Sequence, residues 1–260
     1  MPPAIFFVEG NIGSGKSTFL KNIQSHLSNH PDGPELLTTP QFLQEPVDIW
    51  KNTIDSNGEN ILDHFYKDME RFCYTFQSFA FISRIKQLDT IDSFATCVFI
   101  ERSVHCDRNV FASACHDSGM MTDIEWQCYT TWFDWMETKY NDIFNSARYI
   151  YLKCSPSTAL ERIERRGRPE ETSISIDYLQ TLHSKHEEWL CVPTSSSTII
   201  IDAEQNLHDP EILSAMIDQI VKNIDNEPID IYKNINWGRL AERASKAATP
   251  SPHSPCVKLI

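Results

Sequence analysis

The residues most able to do chemistry lie at positions 10–18, which read Gly-Asn-Ile-Gly-Ser-Gly-Lys-Ser-Thr. This is a complete G-x-x-x-x-G-K-S phosphate-binding loop. In such a loop the backbone N–H groups wrap the phosphates of a nucleotide, Lys16 bridges them, and Ser17 offers its hydroxyl to Mg²⁺. We therefore expect phosphate contacts from Gly10, Asn11, Ile12, Gly13, Ser14, Gly15, Lys16, Ser17 and Thr18.

A second candidate is the carboxylate of Glu45, which is followed directly by Pro46. The proline fixes the local backbone, and strand ends on this side of an open α/β sheet face the ligand crevice. Glu45 is therefore placed to take a proton from a hydroxyl nucleophile, and Trp50 to wall the pocket. On its own, a surface glutamate before a turn explains Glu45 equally well.

A third candidate is the pair Glu101 and Arg102, which ends an apolar, strand-like stretch. Ions at such a strand tip must be paired or must coordinate a metal, because burying an uncompensated charge is costly. We expect Glu101 to hold Mg²⁺ through water or to position the attacking hydroxyl. Arg102 would stabilise the nucleophile and the incoming phosphoryl group.

Four arginines lie within positions 162–168 of a chain whose formal net charge is −13. Arg162 and Arg166 are four residues apart and so share one face of a helix, while Arg168 follows in the next loop. Concentrated positive charge of this kind suits a lid, at about residues 162–173, that closes over a transferring phosphoryl group. Solvated surface charge is the alternative interpretation.

These residues need elements that position them, and strand-like stretches alternate with helical ones along the chain. This alternation predicts an α/β fold with a central five-stranded parallel sheet flanked by helices. Long helical patterns rich in aromatic residues cover 60–90 and 123–142, and we assign most of these aromatics to packing. We expect one domain over residues 1–225 and an extension over 226–260 whose last part is flexible. The predicted strands are 4–9, 36–39, 96–101, 147–153 and 198–202.

Composition narrows the classes of function. The net charge of −13 argues against a nucleic-acid groove, which requires clustered basic residues, so the substrate should be small. The first strand begins within a few residues of Met1, which leaves no room for a signal peptide, and no apolar stretch is long enough to span a membrane. We expect a cytoplasmic protein, with the nucleus left open as a second location.

Taken together, the motifs resemble those of the deoxyribonucleoside kinases, most closely the deoxycytidine and deoxyguanosine kinase branch. The resemblance extends from Gly10 to about Val221. It implies a P-loop kinase fold with an arginine-rich lid, and transfer of the γ-phosphate of ATP or another NTP to the 5′-hydroxyl of a deoxynucleoside in nucleotide salvage. The matching segments are 9–18, 45–50, 74–78 with Arg84, 101–108, 125–126 with 134–135, 162–171 and 186–190.

The resemblance also implies roles for individual residues. The catalytic set would be Lys16, Glu45, Arg102, Arg162 and Arg166. The nucleoside would be bound by Glu45, Trp50, Tyr66, Phe76, Gln77, Arg84, Arg102, Asp107, Phe111 and Glu171. Beyond the phosphate-binding loop, the donor would be bound by Arg162, Arg166, Arg168, Asp202, Glu204 and Leu207. Magnesium would be held by Ser17 and Glu101.

Within these sets, the resemblance makes Glu45 the general base on the 5′-hydroxyl. Gln77 would pair with the base edge, and Tyr66 with Glu171 would recognise the 3′-hydroxyl. The family also implies a homodimer formed by helices, for which residues 58–90 and 123–142 are the natural candidates. Leu207 offers only an aliphatic face where a stacking group is expected, so the choice between ATP and other donors stays open.

Arg84 and Asp107 should decide which base is accepted. If Asp107 accepts a hydrogen bond from an exocyclic amino group and anchors Arg84, cytosine and adenine fit, whereas thymine presents a carbonyl and a methyl group. Gln77 carries both a donor and an acceptor, so it reads the base without choosing strongly. We therefore predict that deoxycytidine and deoxypurines are preferred to thymidine.

Two alternatives remain at this point. A nucleoside monophosphate kinase of the thymidylate kinase type shares the loop, the sheet and the lid, but it needs extra basic groups for the acceptor phosphate. A non-catalytic nucleotide-binding switch needs the loop but no base facing a hydroxyl. The neutral and acidic pocket residues argue against the first alternative, and Glu45 argues against the second.

Overall fold

The structure, a computed structural model, describes residues 3–29, 37–191 and 198–225. The predicted extension at 226–260 lies outside the described residues. Within them, five parallel strands form one sheet in the order β2-β3-β1-β4-β5. The predicted α/β fold is confirmed. The strands are β1 (Ala4–Glu9), β2 (Pro40–Leu43), β3 (Cys97–Glu101), β4 (Arg148–Lys153) and β5 (Thr198–Asp202).

Helices cover both faces of the sheet. The longer ones are α1 (Lys16–Asn29), α4 (Met69–Leu88), α7 (Asp123–Lys139), α9 (Pro156–Arg166), α10 (Ile176–Leu190) and α11 (Pro210–Asp225). The shorter ones are α2 (Val47–Asn52), α3 (Ile61–Lys67), α5 (Val104–Cys106), α6 (Ser113–Asp117) and α8 (Asn141–Ser146). A π-helical turn at Asp107–Ala112 joins α5 to α6, and a 3₁₀ turn at Pro169–Glu171 follows α9.

The central strand β1 is buried on both sides, which explains its unbroken apolar sequence. Successive side chains of a strand point to opposite faces. Phe6 and Val8 therefore pack in one core with helices α1, α9 and α11, whereas Ile5 and Phe7 pack in a second core with α4 and α7. The two cores hold the carboxyl end of β1 rigidly where the phosphate-binding loop begins.

The second strand differs from its prediction at 36–39. It begins at Pro40, whereas Leu36 lies outside the described residues. Pro40 predicts a strand boundary in the sequence, but within the described residues β2 is an edge strand that pairs with β3. A proline can occupy the first residue of an edge strand because no ladder hydrogen bond requires its missing N–H.

The predicted helix at 60–90 is two helices, α3 and α4. Asp68 separates them: it ends α3 and caps α4 by accepting a hydrogen bond from the Arg71 N–H at 3.1 Å. The predicted helix at 123–142 likewise ends at Lys139, and α8 starts again at Asn141. None of the helices in the described ranges is both long enough and apolar enough to cross a bilayer.

Candidate active site

The loops that follow β1, β2 and β3 open into a cavity of about 430 Å³. These loops carry Lys16, Glu45 and Arg102, which all line the cavity. Helices α3 and α4 and the π-helical turn form its far wall, and the residues after α9 close one side. The cavity therefore lies at the carboxyl ends of the strands, where ligands bind in open α/β sheets.

The phosphate-binding loop depends on a glycine at position 13. Gly13 has φ of +79°, and a Cβ atom there would lie 2.3 Å from the Ala159 carbonyl oxygen. Lys16 Nζ donates to the carbonyl oxygens of Gly10 at 3.1 Å and Asn11 at 2.9 Å. Burial lowers the pKa of Lys16 to about 8, with a contribution from nearby Arg102. Lys16 is therefore held over the loop by backbone carbonyls.

Ser17 and Glu101 are brought together from separate elements, α1 and the end of β3. The Ser17 hydroxyl donates to Glu101 Oε1 at 2.7 Å. Hydroxyl and carboxylate oxygens are the ligands that Mg²⁺ accepts, and this ion usually takes only one or two protein ligands beside phosphates and water. The pair fits that chemistry. Among the described residues, no group of three or more His, Cys, Asp or Glu side chains could hold a metal.

Glu45 lies among three positively charged residues of the cavity, Arg84, Arg102 and Lys16. Its Oε1 atom accepts hydrogen bonds from Arg84 Nη2 and from Arg102 Nε, the latter at 3.1 Å. Burial opposes ionisation, but Arg84, Arg102 and Lys16 together hold the pKa of the Glu45 carboxyl well below its usual range. The residue is therefore ionised and can accept a hydrogen bond.

Arg84 joins Glu45 to Asp107. Arg84 Nε lies 3.0 and 2.8 Å from the two Asp107 carboxylate oxygens, and Nη1 donates to the Glu101 carbonyl oxygen at 3.3 Å. Burial raises the pKa of Asp107 to about 7, while Arg84 and Arg102 act in the opposite direction. The structure thus brings Arg84 and Asp107 together, as the sequence argument expects. The structure also shows a hydrogen bond from Arg84 to Glu45, which no sequence pattern indicates.

Arg102 has an unusual backbone. Its φ of 67° is the one positive value at a non-glycine residue in the described ranges. Such a conformation is strained by roughly 1–3 kcal/mol and persists only when its surroundings enforce it. Here the Arg102 N–H donates to the Val8 carbonyl, and the next N–H, of Ser103, donates to the buried Glu9 carboxylate at 2.9 Å. Sequence reasoning gave Glu9 no role.

The inner part of the cavity is mostly aromatic. The Phe65 and Phe76 rings stack with centroids 4.6 Å apart, and Trp50 meets Phe76 edge-on. Gln77 is 1% exposed, and its Nε2 atom has no hydrogen-bond partner within the described protein. The hydroxyl of Tyr178, which sequence reasoning missed, is also buried without such a partner and also lines the cavity. Both of these buried polar atoms therefore lack a partner among the described residues.

The lid arginines are engaged with a glutamate. Arg166 Nη2 and Arg168 Nη1 donate to the two carboxylate oxygens of Glu171, the second at 3.1 Å. Arg168 is extended at φ −71° and ψ 125°, as the following Pro169 requires. Arg162 instead reaches the Ser14 carbonyl at 3.3 Å and does not line the cavity.

Seven predicted donor-binding residues do not line the cavity, namely Gly10, Asn11, Ser14, Arg162, Asp202, Glu204 and Leu207. Glu204 accepts hydrogen bonds from Ser155 N and Thr158 Oγ1 at the start of α9, and Asp202 accepts from Gln205 Nε2 at 3.1 Å. Leu207 packs beside the phosphate-binding loop, since a Cβ atom at Gly15 would lie 2.7 Å from Leu207 Cδ1. The predicted nucleoside-contacting residues all line the cavity, namely Glu45, Trp50, Tyr66, Phe76, Gln77, Arg84, Arg102, Asp107, Phe111 and Glu171.

Comparison with known proteins identifies the family of this chain. The sequence pattern of the deoxynucleoside kinases matches residues 6–227. The chain belongs to the deoxynucleoside kinase family. It is 40% identical to a probable deoxycytidine kinase of fowlpox virus, over 70% of each chain. It is 38% identical to the deoxycytidine kinase of Homo sapiens, over 70% of this chain and 74% of that protein.

A third relative, the mitochondrial thymidine kinase 2 of Macaca fascicularis, is 31% identical over 78% of this chain and 72% of that protein. The family resemblance inferred from the motifs is confirmed, and the protein is a phosphotransferase. A deoxynucleoside kinase needs a nucleotide as phosphate donor and a nucleoside as acceptor. The monophosphate kinase and the non-catalytic switch are both disfavoured.

Proposed function

We propose that this deoxynucleoside kinase phosphorylates deoxycytidine and deoxypurine nucleosides in preference to thymidine, with Glu45 as the general base. The observation that carries the proposal is the arrangement of half-buried Glu45 with buried Arg84 and Asp107, in which one arginine bonds both carboxylates. Arg84 thereby links Asp107, which we assign to recognition of the nucleobase, to Glu45, which we assign to proton transfer. The deoxycytidine kinases among the relatives support the same substrate class.

Base selection follows from the groups at the inner end of the cavity. The Gln77 amide is free to pair with a base edge, and the Arg84–Asp107 pair presents a carboxylate to an exocyclic amino group. Thymine offers a carbonyl and a methyl group at that edge. An unpaired buried acceptor costs roughly 1–3 kcal/mol, or a factor of about ten to a few hundred in discrimination.

Proton transfer is assigned to Glu45. The ionised carboxylate accepts the 5′-hydroxyl proton while Arg102, on the same carboxylate oxygen, holds it in place. The nucleoside oxygen attacks the γ-phosphorus of the donor in line, the bond from that phosphorus to the β-phosphate oxygen breaks, and the nucleoside diphosphate leaves. Lys16 and the lid arginines stabilise the negative charge on the transferring group, and positioning with electrostatics supplies most of the rate.

Magnesium is assigned to Ser17 and Glu101, whose oxygens already lie together. When bound, the ion neutralises charge on the donor phosphates. The donor is ATP or another NTP.

Sugar recognition is assigned to Tyr66 and Glu171. Burial and the charge of Glu171 raise the pKa of Tyr66, so its hydroxyl stays neutral and can donate a hydrogen bond. In the structure Glu171 forms ion pairs with Arg166 and Arg168. The donor phosphates would compete with Glu171 for the two arginines, and the 3′-hydroxyl would compete with the arginines for Glu171. Lid closure would move the arginines toward the phosphates and release Glu171 for the sugar.

A homodimer is also part of the proposal. Helix α7 exposes an apolar stripe at helical spacing, with Ile124 73% exposed, Trp132 60% and Trp135 53%. Ile82 on the neighbouring helix α4 is 51% exposed. A second copy of this chain, docked through the same helices, would cover these side chains, as the family resemblance implies. Sedimentation of purified protein as a monomer at micromolar concentration would count against it.

The substrate proposal is tested by incubating the purified protein with Mg²⁺-ATP and each of the four deoxynucleosides, and separately with their monophosphates. We expect monophosphates from deoxycytidine and the deoxypurines to form faster than from thymidine. Thymidine as the best acceptor would refute the role of Arg84 and Asp107. Diphosphates formed only from added monophosphates would refute the nucleoside as acceptor.

A further inference from the structure

Next to Arg102 lie two buried residues, Cys106 and His186, with no role in the proposed reaction. Arg102 Nη1 donates to Cys106 Sγ at 3.1 Å, and Cys106 Sγ lies 3.5 Å from His186 Nε2. His186 Nδ1 lies 2.7 Å from the Leu182 carbonyl oxygen. Cys106 and His186 are both 0% exposed, and neither lines the cavity.

The directions of these hydrogen bonds can be deduced. A carbonyl oxygen only accepts, so His186 Nδ1 carries the proton that binds the Leu182 oxygen. Burial, with the charge of nearby Arg102, lowers the pKa of His186 to about 3, so the ring is neutral and Nε2 is an acceptor. Burial also raises the pKa of the Cys106 thiol well above its ordinary value, so the thiol keeps its proton. Cys106 therefore donates to His186.

This order leaves the sulfur lone pairs of Cys106 facing Arg102, whose guanidinium can only donate. The imidazole ring of His186, which determines the direction of these hydrogen bonds, is held in place by a neighbouring ring. It stacks on the Tyr151 ring with centroids 5.7 Å apart and planes 5° apart. The Arg102 guanidinium lies over the Phe111 ring at 4.5 Å. The chain of donors thus runs one way, from Arg102 to a backbone carbonyl of α10.

We propose that Cys106 and His186 are positioning residues, which hold the guanidinium of Arg102 so that its Nε–H meets the Glu45 carboxylate. The inference rests on the proposed role of Arg102 beside the base. An arginine side chain has many rotamers, and its contact with Glu45 uses only one of its N–H groups. A second contact at Nη1 removes the freedom of the guanidinium to rotate away. Neither Cys106 nor His186 touches the reacting atoms.

The first experiment compares matched variants at each position. Cys106→Ala removes the acceptor, whereas Cys106→Ser keeps a group that both donates and accepts. His186→Asn can retain only the Nδ1 contact, whereas His186→Gln places an oxygen near the position of Nε2. We expect Cys106→Ala and His186→Asn to lower kcat about tenfold with KM for the nucleoside and for ATP changed less than twofold. The Ser and Gln variants should stay within about threefold of the parent protein.

The second experiment separates positioning from general loosening of the fold. Cys106→Ala and His186→Asn are each combined with Arg102→Ala, and kcat is measured well below the melting temperature of every variant. If both residues act through Arg102, neither change lowers kcat further in the Arg102→Ala background. A further tenfold loss there would overturn the proposal. So would unchanged kcat in both single variants, or equal losses for Cys106→Ser and Cys106→Ala.

The same variants also test, as a separate question, whether Arg102 acts beside Glu45 at all. If Arg102→Ala keeps near-normal kcat, the role of Arg102 at the base fails. If Arg102→Ala loses turnover while the Cys106 and His186 variants do not, only the positioning role fails. Should Cys106→Ala not fold, the comparison of His186→Asn with His186→Gln, alone and in the Arg102→Ala background, decides the proposal.

Discussion

The arginines of this protein form two groups with opposite surroundings. Arg84 and Arg102, on the acceptor side, are each 4% exposed and bonded to Glu45. Arg166 and Arg168, in the lid, are 34% and 35% exposed and bonded to Glu171, which is close to them in sequence. The first pair is built into the core, whereas the second pair lies at the edge of the cavity.

The difference shows how one site combines rigidity and movement. Partners of a buried ion pair cannot separate without leaving an uncompensated charge, so the acceptor arginines must already lie where the reaction needs them. The guanidinium groups of the lid arginines are about one-third exposed, although Glu171 itself is buried, so they can reach donor phosphates if another group then pairs with Glu171. On the proposed roles of these residues, we expect the position of the nucleoside to be set by folding and the contacts to the donor to form on binding.

The largest effect is expected at the centre of the rigid side. Glu45→Gln should lower kcat by about 10²–10⁴-fold, because the amide cannot take the proton from the 5′-hydroxyl. Nucleoside binding, measured by calorimetry, should change much less. Glu59→Gln, at a surface carboxylate paired with Lys67, is the matched control. Near-normal turnover of Glu45→Gln would refute its role as the base.

The lid is tested by Arg166→Ala. We expect kcat to fall about 10²–10³-fold through lost stabilisation of the transferring phosphoryl group. The melting temperature should hardly change, because Arg168 still pairs with Glu171 after the change. Arg165→Ala, one residue earlier on α9 and outside the cavity lining, is the control. A large fall in melting temperature for Arg166→Ala would mean that the lid is as fixed as the acceptor side.

The choice between nucleobases should depend on Arg84 and Asp107, on the acceptor side, and not on the lid arginines. The double change Arg84→Met with Asp107→Ala should shift the kcat/KM ratio of thymidine to deoxycytidine upward by about ten to a few hundred-fold. Asp107→Ala alone should melt at a lower temperature than the double variant, because it removes the bidentate partner of a buried arginine. A double variant that kept its deoxycytidine preference would remove the pair from base selection.

The smallest effect concerns stability on the acceptor side. The folded-state pKa of His186, about 3, is below its ordinary value of 6.5. Between pH 6.5 and about 3, His186 binds a proton in the unfolded chain but not in the folded protein. The free energy of unfolding therefore falls as the pH falls below 6.5, by at most about 1.4 kcal/mol per pH unit. In urea unfolding between pH 7.5 and 5.5, His186→Gln should lose less stability than the parent protein. Equal losses would show that His186 is not buried as a neutral ring.

Local features of the site could be predicted well because local rules produce them. The strand at 4–9, the glycine-rich loop and helix α1 follow from hydrophobic period and from the glycines of the loop. The extended backbone of Arg168 follows from Pro169. The start of β2 was wrong because Pro40 gives the same signal at a strand boundary and at the first residue of an edge strand.

The sequence by itself determined the residue types at the site, the phosphate-binding loop and the family. Only the tertiary structure decided which side chains meet. Glu45 pairs with Arg84 across 39 residues and with Arg102 across 57, and Cys106 meets His186 across 80. The order of the strands places the ends of β2 and β3 side by side, which brings Glu45 to Arg102. The packing of α4 and α10 against the turn at Asp107–Ala112 brings Arg84 and His186 to the same region, and no periodicity along the chain encodes these neighbourhoods.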